Sequence, residues 1–129
     1  MRVIFFLALS SVCWASGSGF EEYRERRAAL RKALGGGTIV LRGANEGENG
    51  DLRTPFFQEA NFLYLTGWRE PGAALLMADG FEALFLPARS EKRERYTGKK
   101  LAPGDQDGAA RTGFDTVLPA EDFDKRVKG

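Results

Sequence analysis

The stretch Phe56–Gly72 reads FFQEANFLYLTGWREPG and decides the fold of this chain. It holds five aromatic residues and closes on a glycine and a Glu-Pro-Gly turn. An apolar and aromatic run that is bounded by turn residues predicts a buried strand with its turn. In an extended strand, Phe62 and Tyr64 share one face. We therefore expect both side chains in the core, with Leu63 and Trp68 nearer the surface.

The flanking segments predict further helices and strands. Ser18 and Glu21 have capping-box spacing at the start of a helix, and Gly35 suits a left-handed cap at its end. Asp79 and Gly80 lie between two apolar runs, which predicts a β-hairpin. Because these runs do not alternate cleanly between apolar and polar residues, we expect both faces of the sheet to be covered, as in an α/β fold.

Composition limits the classes of function. The 129 residues suit one domain, and a net charge of +1 gives no electrostatic reason to expect nucleic acid or an anionic membrane surface as a partner. The chain has no histidine, which excludes Ser–His and Cys–His catalysis and most imidazole acid–base schemes. The 18 acidic residues are spread among 19 basic ones, a pattern typical of a solvated surface. We predict no catalytic residue and no metal ligand in this chain.

The N-terminus has the features of a secretory signal peptide. Met1 and Arg2 form a positive start, Val3–Leu9 is an apolar run, and Ala15 is a small residue at a cleavage position. The run is far shorter than the ~20 apolar residues of a membrane span, so stable membrane insertion is not expected. We predict a signal peptide at residues 1–15 and export to the bacterial periplasm or the extracellular space. The alternative is a buried N-terminal strand.

The order of residues in the opening stretch resembles a family signature. Members of the creatinase, prolidase and aminopeptidase P family carry an F-x-Q-x-x-x-F-x-Y-L-T-G-x-x-E-P-like segment in their N-terminal domain, and Phe56–Gly72 is similar to it. Leu84–Arg89 and Tyr96–Leu101 resemble two further family elements, a strand end and an aromatic-x-G-basic-basic segment. The combination is most similar to the aminopeptidase P branch, and the resemblance runs from about Tyr23 to Val127.

The resemblance implies a fold and a role. It implies an α/β domain at residues 16–129, with a mixed β-sheet flanked by helices and a ribonuclease H-like motif, that continues past Gly129. In the family this domain has no catalytic residues, and a separate catalytic domain binds two divalent metals, usually manganese, and cleaves the bond before proline. The expected partners are the chain's own catalytic domain, the other subunits of a homo-oligomer, and the peptide substrates of a metal-dependent Xaa-Pro aminopeptidase.

The resemblance also implies contact residues. In family members an aromatic side chain of one first domain can line the substrate pocket of a neighbouring subunit, and the expected position lies within Phe62–Tyr64. Asp51, Leu63 and Trp68 are the residues expected to serve inter-subunit contact or substrate access. The alternative is a stand-alone, non-enzymatic binding or dimerisation module that reuses the fold, because fold does not dictate function.

Overall fold

The computed structural model describes residues 19–47 and 55–129. The elements of these two ranges are, in chain order, α1 (Glu21–Leu34), β1 (Ile39–Arg42), α2 (Ala60–Thr66), β2 (Ala74–Ala78), β3 (Phe81–Leu86), α3 (Glu91–Thr97), α4 (Gly108–Thr112), β4 (Val117–Pro119), a 3₁₀ turn (Ala120–Asp122) and α5 (Phe123–Lys128). The signal peptide predicted at residues 1–15, Ser18 of the predicted capping box and the expected contact residue Asp51 lie outside the described residues.

The strands form one mixed sheet in the order β1-β2-β3-β4. β1 and β3 each pair antiparallel with β2, whereas β4 pairs parallel with β3. A parallel pair needs a long crossover connection, and the segment that holds α3 and α4 supplies it. The predicted α/β fold with a mixed sheet flanked by helices is confirmed.

Backbone geometry confirms two turn predictions. Asp79 and Gly80 connect β2 to β3, and Gly80 has φ +72, a left-handed value that suits glycine. Gly35 ends α1 with φ +68 and donates its amide to the carbonyl of Lys32.

Apolar side chains cover both faces of the sheet. Leu75 and Met77 of β2 belong to the core cluster on one face, which α1 and α2 cover. Leu76 points to the other face, where Phe123 of α5 belongs to a second cluster. Successive strand residues point to opposite faces, so a strand covered on both sides is apolar throughout. This explains why the sequence of β2 shows no alternation.

One buried arginine joins α1 to the rest of the domain. Arg27 is 1% exposed, and its guanidinium donates to the carbonyl of Leu65 at 2.9 Å and to the carbonyl of Gly113 at 3.3 Å. These carbonyls lie at the C-terminal ends of α2 and α4, where a cation is favoured by the helix dipole and by carbonyls without helical partners. The same guanidinium pairs with Glu82 of β3 at 3.0 Å. Arg27 therefore fixes α1 against three other elements.

The opening stretch contains a helix, α2, where the sequence predicted a strand. The carboxylate of Glu59 accepts hydrogen bonds from the backbone amides of Asn61 and Phe62, which caps the first turn. Gly67 has φ +68 and donates to the carbonyl of Leu63, which ends the helix. The strand prediction is wrong because a short apolar run fits a buried helix as well as a buried strand, and these two caps select the helix.

Helical spacing also changes which side chains are buried. Phe62, Leu65 and Thr66 are 0%, 5% and 1% exposed, the spacing of one helix face. Tyr64 is 57% exposed and Leu63 is half-buried. The prediction of a core position is confirmed for Phe62 and wrong for Tyr64, because the two residues share a face only in an extended strand.

Candidate functional site

The three segments that carry the family resemblance meet around one cleft. Its lining residues come from 68–71 in the opening stretch, from 87–90 after β3 and from 97–102 at the end of α3 and beyond it. Glu46 and the cleft-facing side of α3 complete the lining. The volume is about 130 Å³. We call it the Trp68 cleft, and this convergence makes it the candidate functional site.

The lining of the Trp68 cleft is partly apolar and partly charged. The indole of Trp68 is half-buried, and its Nε1 is buried without a hydrogen-bond partner among the described residues. Lys100 pairs with Glu70 at 3.1 Å, and Arg93 pairs with Glu46. Both pairs are largely exposed, so each contributes little to stability. The balance of opposite charges favours neither a cation nor an anion.

A glutamine side chain fixes the wall that holds Trp68. The side-chain amide of Gln58 donates to the carbonyls of Trp68 and Glu70 at 3.3 and 3.0 Å, and its oxygen accepts from the amide of Ala44 at 2.7 Å. Gly43 lies so close that an added Cβ would stand 2.9 Å from that oxygen. The turn after α2 is therefore held against the end of β1 without help from a ligand.

An arginine and two carboxylates fix the part of the lining that follows β3. One Nη atom of Arg89 donates to both carboxylate oxygens of Asp105 at 3.0 and 2.9 Å, and the other donates to Glu94 at 2.9 Å. The pKa of the Asp105 carboxyl lies below its ordinary value. The larger cause is the hydrogen bond from the amide of Ala102, and the charge of the nearby Arg89 guanidinium adds to it. We call these three side chains the Arg89 cluster.

The other side of α3 carries an exposed aromatic ring and two exposed cations. Tyr96 is 86% exposed. Lys92, one helical turn before Tyr96, and Arg95, next to it in the sequence, are also exposed, and neither forms an ion pair with a residue that the structure describes. We call these three residues the α3 outer face. Sequence reasoning did not select Tyr96, although an aromatic residue inside a charged run is the signal that could have done so.

The residues expected to make contacts do not form one site. Trp68 lines the cleft, whereas Leu63 lies half-buried on α2 and does not line it. Asp51 lies outside the described residues. The structure thus brings only Trp68 to the candidate site.

An apolar groove lies on a different surface, between α1, α2 and β1. Its volume is about 810 Å³. Leu34 and Tyr64, each 57% exposed, lie among its lining residues. The remaining lining is mostly alanine, leucine and isoleucine, with Glu22, Glu25, Arg26 and Asn61 as polar members. We call it the α1–α2 groove.

The described ranges hold neither a metal-ligand cluster nor a membrane-spanning helix. Within residues 19–47 and 55–129, no group of three or more His, Cys, Asp or Glu side chains is placed to hold a metal ion. No helix in the same ranges is long and apolar enough to cross a membrane.

Comparison with known proteins points to one family. The family model described as "Aminopeptidase P, N-terminal domain" matches residues 23–129. Xaa-Pro aminopeptidase 3 of Mus musculus is 34% identical over 95 residues, which are 66% of this chain and 18% of that protein. The Xaa-Pro aminopeptidase of Haemophilus influenzae is 31% identical over 87 residues, or 63% of this chain and 20% of that protein. The chain thus spans about a fifth of the length of these curated relatives.

Solved structures agree with the family match. Aminopeptidase PepP of Pseudomonas aeruginosa aligns with a TM-score of 0.68 and 31% identity over 83% of this chain and 25% of that one. Zinc-substituted Escherichia coli aminopeptidase P in complex with product aligns with a TM-score of 0.70 over 83% of this chain and 26% of that one. At 24% identity, the second match supports the fold alone.

Proposed function

The chain belongs to the aminopeptidase P N-terminal domain family, and on that premise we propose that it serves a metal-dependent Xaa-Pro aminopeptidase as a non-catalytic domain for assembly and substrate access. Its curated relatives are Xaa-Pro aminopeptidases about five times as long as the matched part. In this proposal a catalytic domain holds the divalent metal, with manganese as the expected ion, and cleaves the bond before proline. The partners are that domain, other subunits and peptide substrates.

The α3 outer face is the observation that carries the role in substrate access. An exposed tyrosine offers a large flat apolar surface with a polar tip, the kind of side chain enriched at interfaces. Tyr96 is 86% exposed, and two exposed cations, Lys92 and Arg95, lie on the same helix. Leu63, expected earlier as the contact, is aliphatic and half-buried. We therefore assign the aromatic contact with a neighbouring subunit or its substrate to Tyr96.

The test uses the full polypeptide that includes any in-frame continuation of this chain. Hydrolysis of an Xaa-Pro peptide is measured with manganese for the wild type, for Tyr96→Ala and for Tyr64→Ala. Truncating an aromatic hot-spot residue costs about 2 kcal/mol or more, so Tyr96→Ala should lower kcat/KM by about 30-fold or more. Tyr64→Ala removes the exposed aromatic side chain at the position that the family resemblance implies, and the assignment to Tyr96 predicts a smaller loss from it than from Tyr96→Ala. Equal effects of the two changes would contradict the assignment.

The α1–α2 groove favours a second candidate, a stand-alone dimerisation module. A second copy of the chain seated on the groove would bury Leu34 and Tyr64, which are otherwise large apolar side chains in water. Sedimentation of the 129-residue chain would then show a dimer that Leu34→Glu dissociates. A monomer at every concentration would count against this candidate.

A further inference from the structure

Apolar packing does not fix the position of α3. The helix has seven residues, and none of them is buried. Isolated helices shorter than about 12 residues are only marginally stable in water. Polar contacts must therefore hold α3 in the place where the structure shows it.

Those polar contacts converge on Arg89. This residue follows β3 by three positions, so its backbone is attached to the centre of the sheet. Its guanidinium binds Glu94, which is part of α3, and Asp105, which lies beyond it. The backbone amides of Lys100 and Ala102 donate to the same two carboxylates at 3.1 and 3.0 Å. The Arg89 guanidinium thus joins α3, through Glu94, to the segment around Asp105.

A second ion pair joins α3 to a distant segment, but it is more exposed to solvent and therefore weaker. Arg93 and Glu46 form an ion pair whose side chains are 56% and 68% exposed. The members of the Arg89 cluster are 18–32% exposed. A planar guanidinium that binds two carboxylates through fixed donors also constrains geometry more than a single exposed pair does.

We propose that Arg89 is the positioning residue of α3: by bridging Glu94 and Asp105, it holds the helix, and with it Tyr96, at the end of β3. The role of Tyr96 rests on the proposed function, but the positioning of α3 rests only on the contacts above. The positioning of α3 is therefore tested without any peptidase activity. A failure of this test does not contradict the proposed function, and a failure of the proposed function does not contradict the positioning of α3.

Hydrogen exchange followed by mass spectrometry on the full chain tests the proposal. In Arg89→Gln, the amides of α3 should exchange about three- to tenfold faster than in the wild type, because hydrogen bonds to charged groups are lost at a partly exposed site. The amides of β2 and β3 should be unchanged. Arg111→Gln is the matched control, since Arg111 pairs with Asp107 at 3.5 Å on the surface of α4. It should leave α3 unchanged.

Two more variants separate positioning from general stabilisation. Arg89→Lys keeps the charge without the planar fork, so its α3 exchange should lie between wild type and Arg89→Gln. Asp105→Asn should accelerate α3 exchange, and adding it to Arg89→Gln should accelerate α3 less than the two separate effects predict, because both changes remove one shared contact. An α3 acceleration below about twofold in Arg89→Gln, or an equal acceleration throughout the chain, would overturn the proposal. Failure of Arg89→Gln to fold would overturn it as well.

Discussion

Replacing Phe62 by alanine tests the helical arrangement of the opening stretch. The Phe62 ring is fully buried, in the core cluster on the side of the sheet that α1 and α2 cover. Its Cε1 lies within 3.1 Å of the place where a Cβ on Gly43 would be, so packed backbone limits how far the site can collapse. Truncating such a ring costs about 3–5 kcal/mol, out of a total stability of roughly 5–15 kcal/mol for a domain. Phe62→Ala should therefore be unfolded or close to it.

Tyr64→Ala is the matched comparison two residues away. Tyr64 is 57% exposed, and its ring stacks with the guanidinium of Arg26 at 4.3 Å. An exposed contact of this type contributes about 0.5–1 kcal/mol, so Tyr64→Ala should remain folded. Urea unfolding followed by circular dichroism measures both variants. If Tyr64→Ala destabilises the chain as much as Phe62→Ala, the two side chains share a buried face and the helical account of 60–66 fails.

Three further predictions address other parts of the chain. Arg27→Met leaves the buried carbonyl of Leu65 without its side-chain donor, whereas Glu82 keeps Arg31 and the carbonyl of Gly113 keeps Arg24. We therefore expect a loss of about 1–3 kcal/mol in urea melts; a loss below about 0.5 kcal/mol would contradict it. The amide of Ala102, and after it Arg89, lowers the pKa of the Asp105 carboxyl. The stabilisation that Asp105 contributes is therefore complete above the ordinary carboxyl pKa near 3.9 and is lost as pH falls below it. The difference in urea midpoint between wild type and Asp105→Asn should thus be constant from about pH 5 to 7 and should shrink below about pH 4; a difference unchanged at pH 3 would refute this. Mass spectrometry of the chain from a bacterial host should show an N-terminus within a few residues of Ser16, and an intact Met1 on soluble cytoplasmic protein would count against the signal peptide.

Local signals predicted the parts of the fold that local geometry determines. Asp79 and Gly80 predicted the hairpin, and Gly35 predicted the end of α1, because each position needs a backbone conformation that few residues accept. The segment Phe62–Thr66 was assigned wrongly for a related reason. Its residues suit either a helix or a strand, and the deciding feature is the cap supplied by Glu59, which a pattern of apolar residues does not contain.

The candidate site depends on contacts between distant residues, which one sequence does not reveal. The Arg89 cluster spans 16 residues, and Arg27 reaches Glu82 across 55 residues. Similarity to the family marked the segments that contain Trp68, Arg89 and Lys100, but only the structure shows that they enclose one cleft. The charged run around Tyr96 indicates a solvated helix, but the structure was needed to show that the ring itself is 86% exposed.

The most direct measurement of the central claim compares Xaa-Pro peptide hydrolysis by two polypeptides in the presence of manganese. One is the 129-residue chain alone, and the other is the same chain joined to any in-frame continuation. The account predicts that the first has no activity, since it has no histidine and its described residues hold no metal-ligand cluster, and that the second releases the residue before proline. Activity that persists through re-purification of the 129-residue chain, and scales with its amount, would contradict the account.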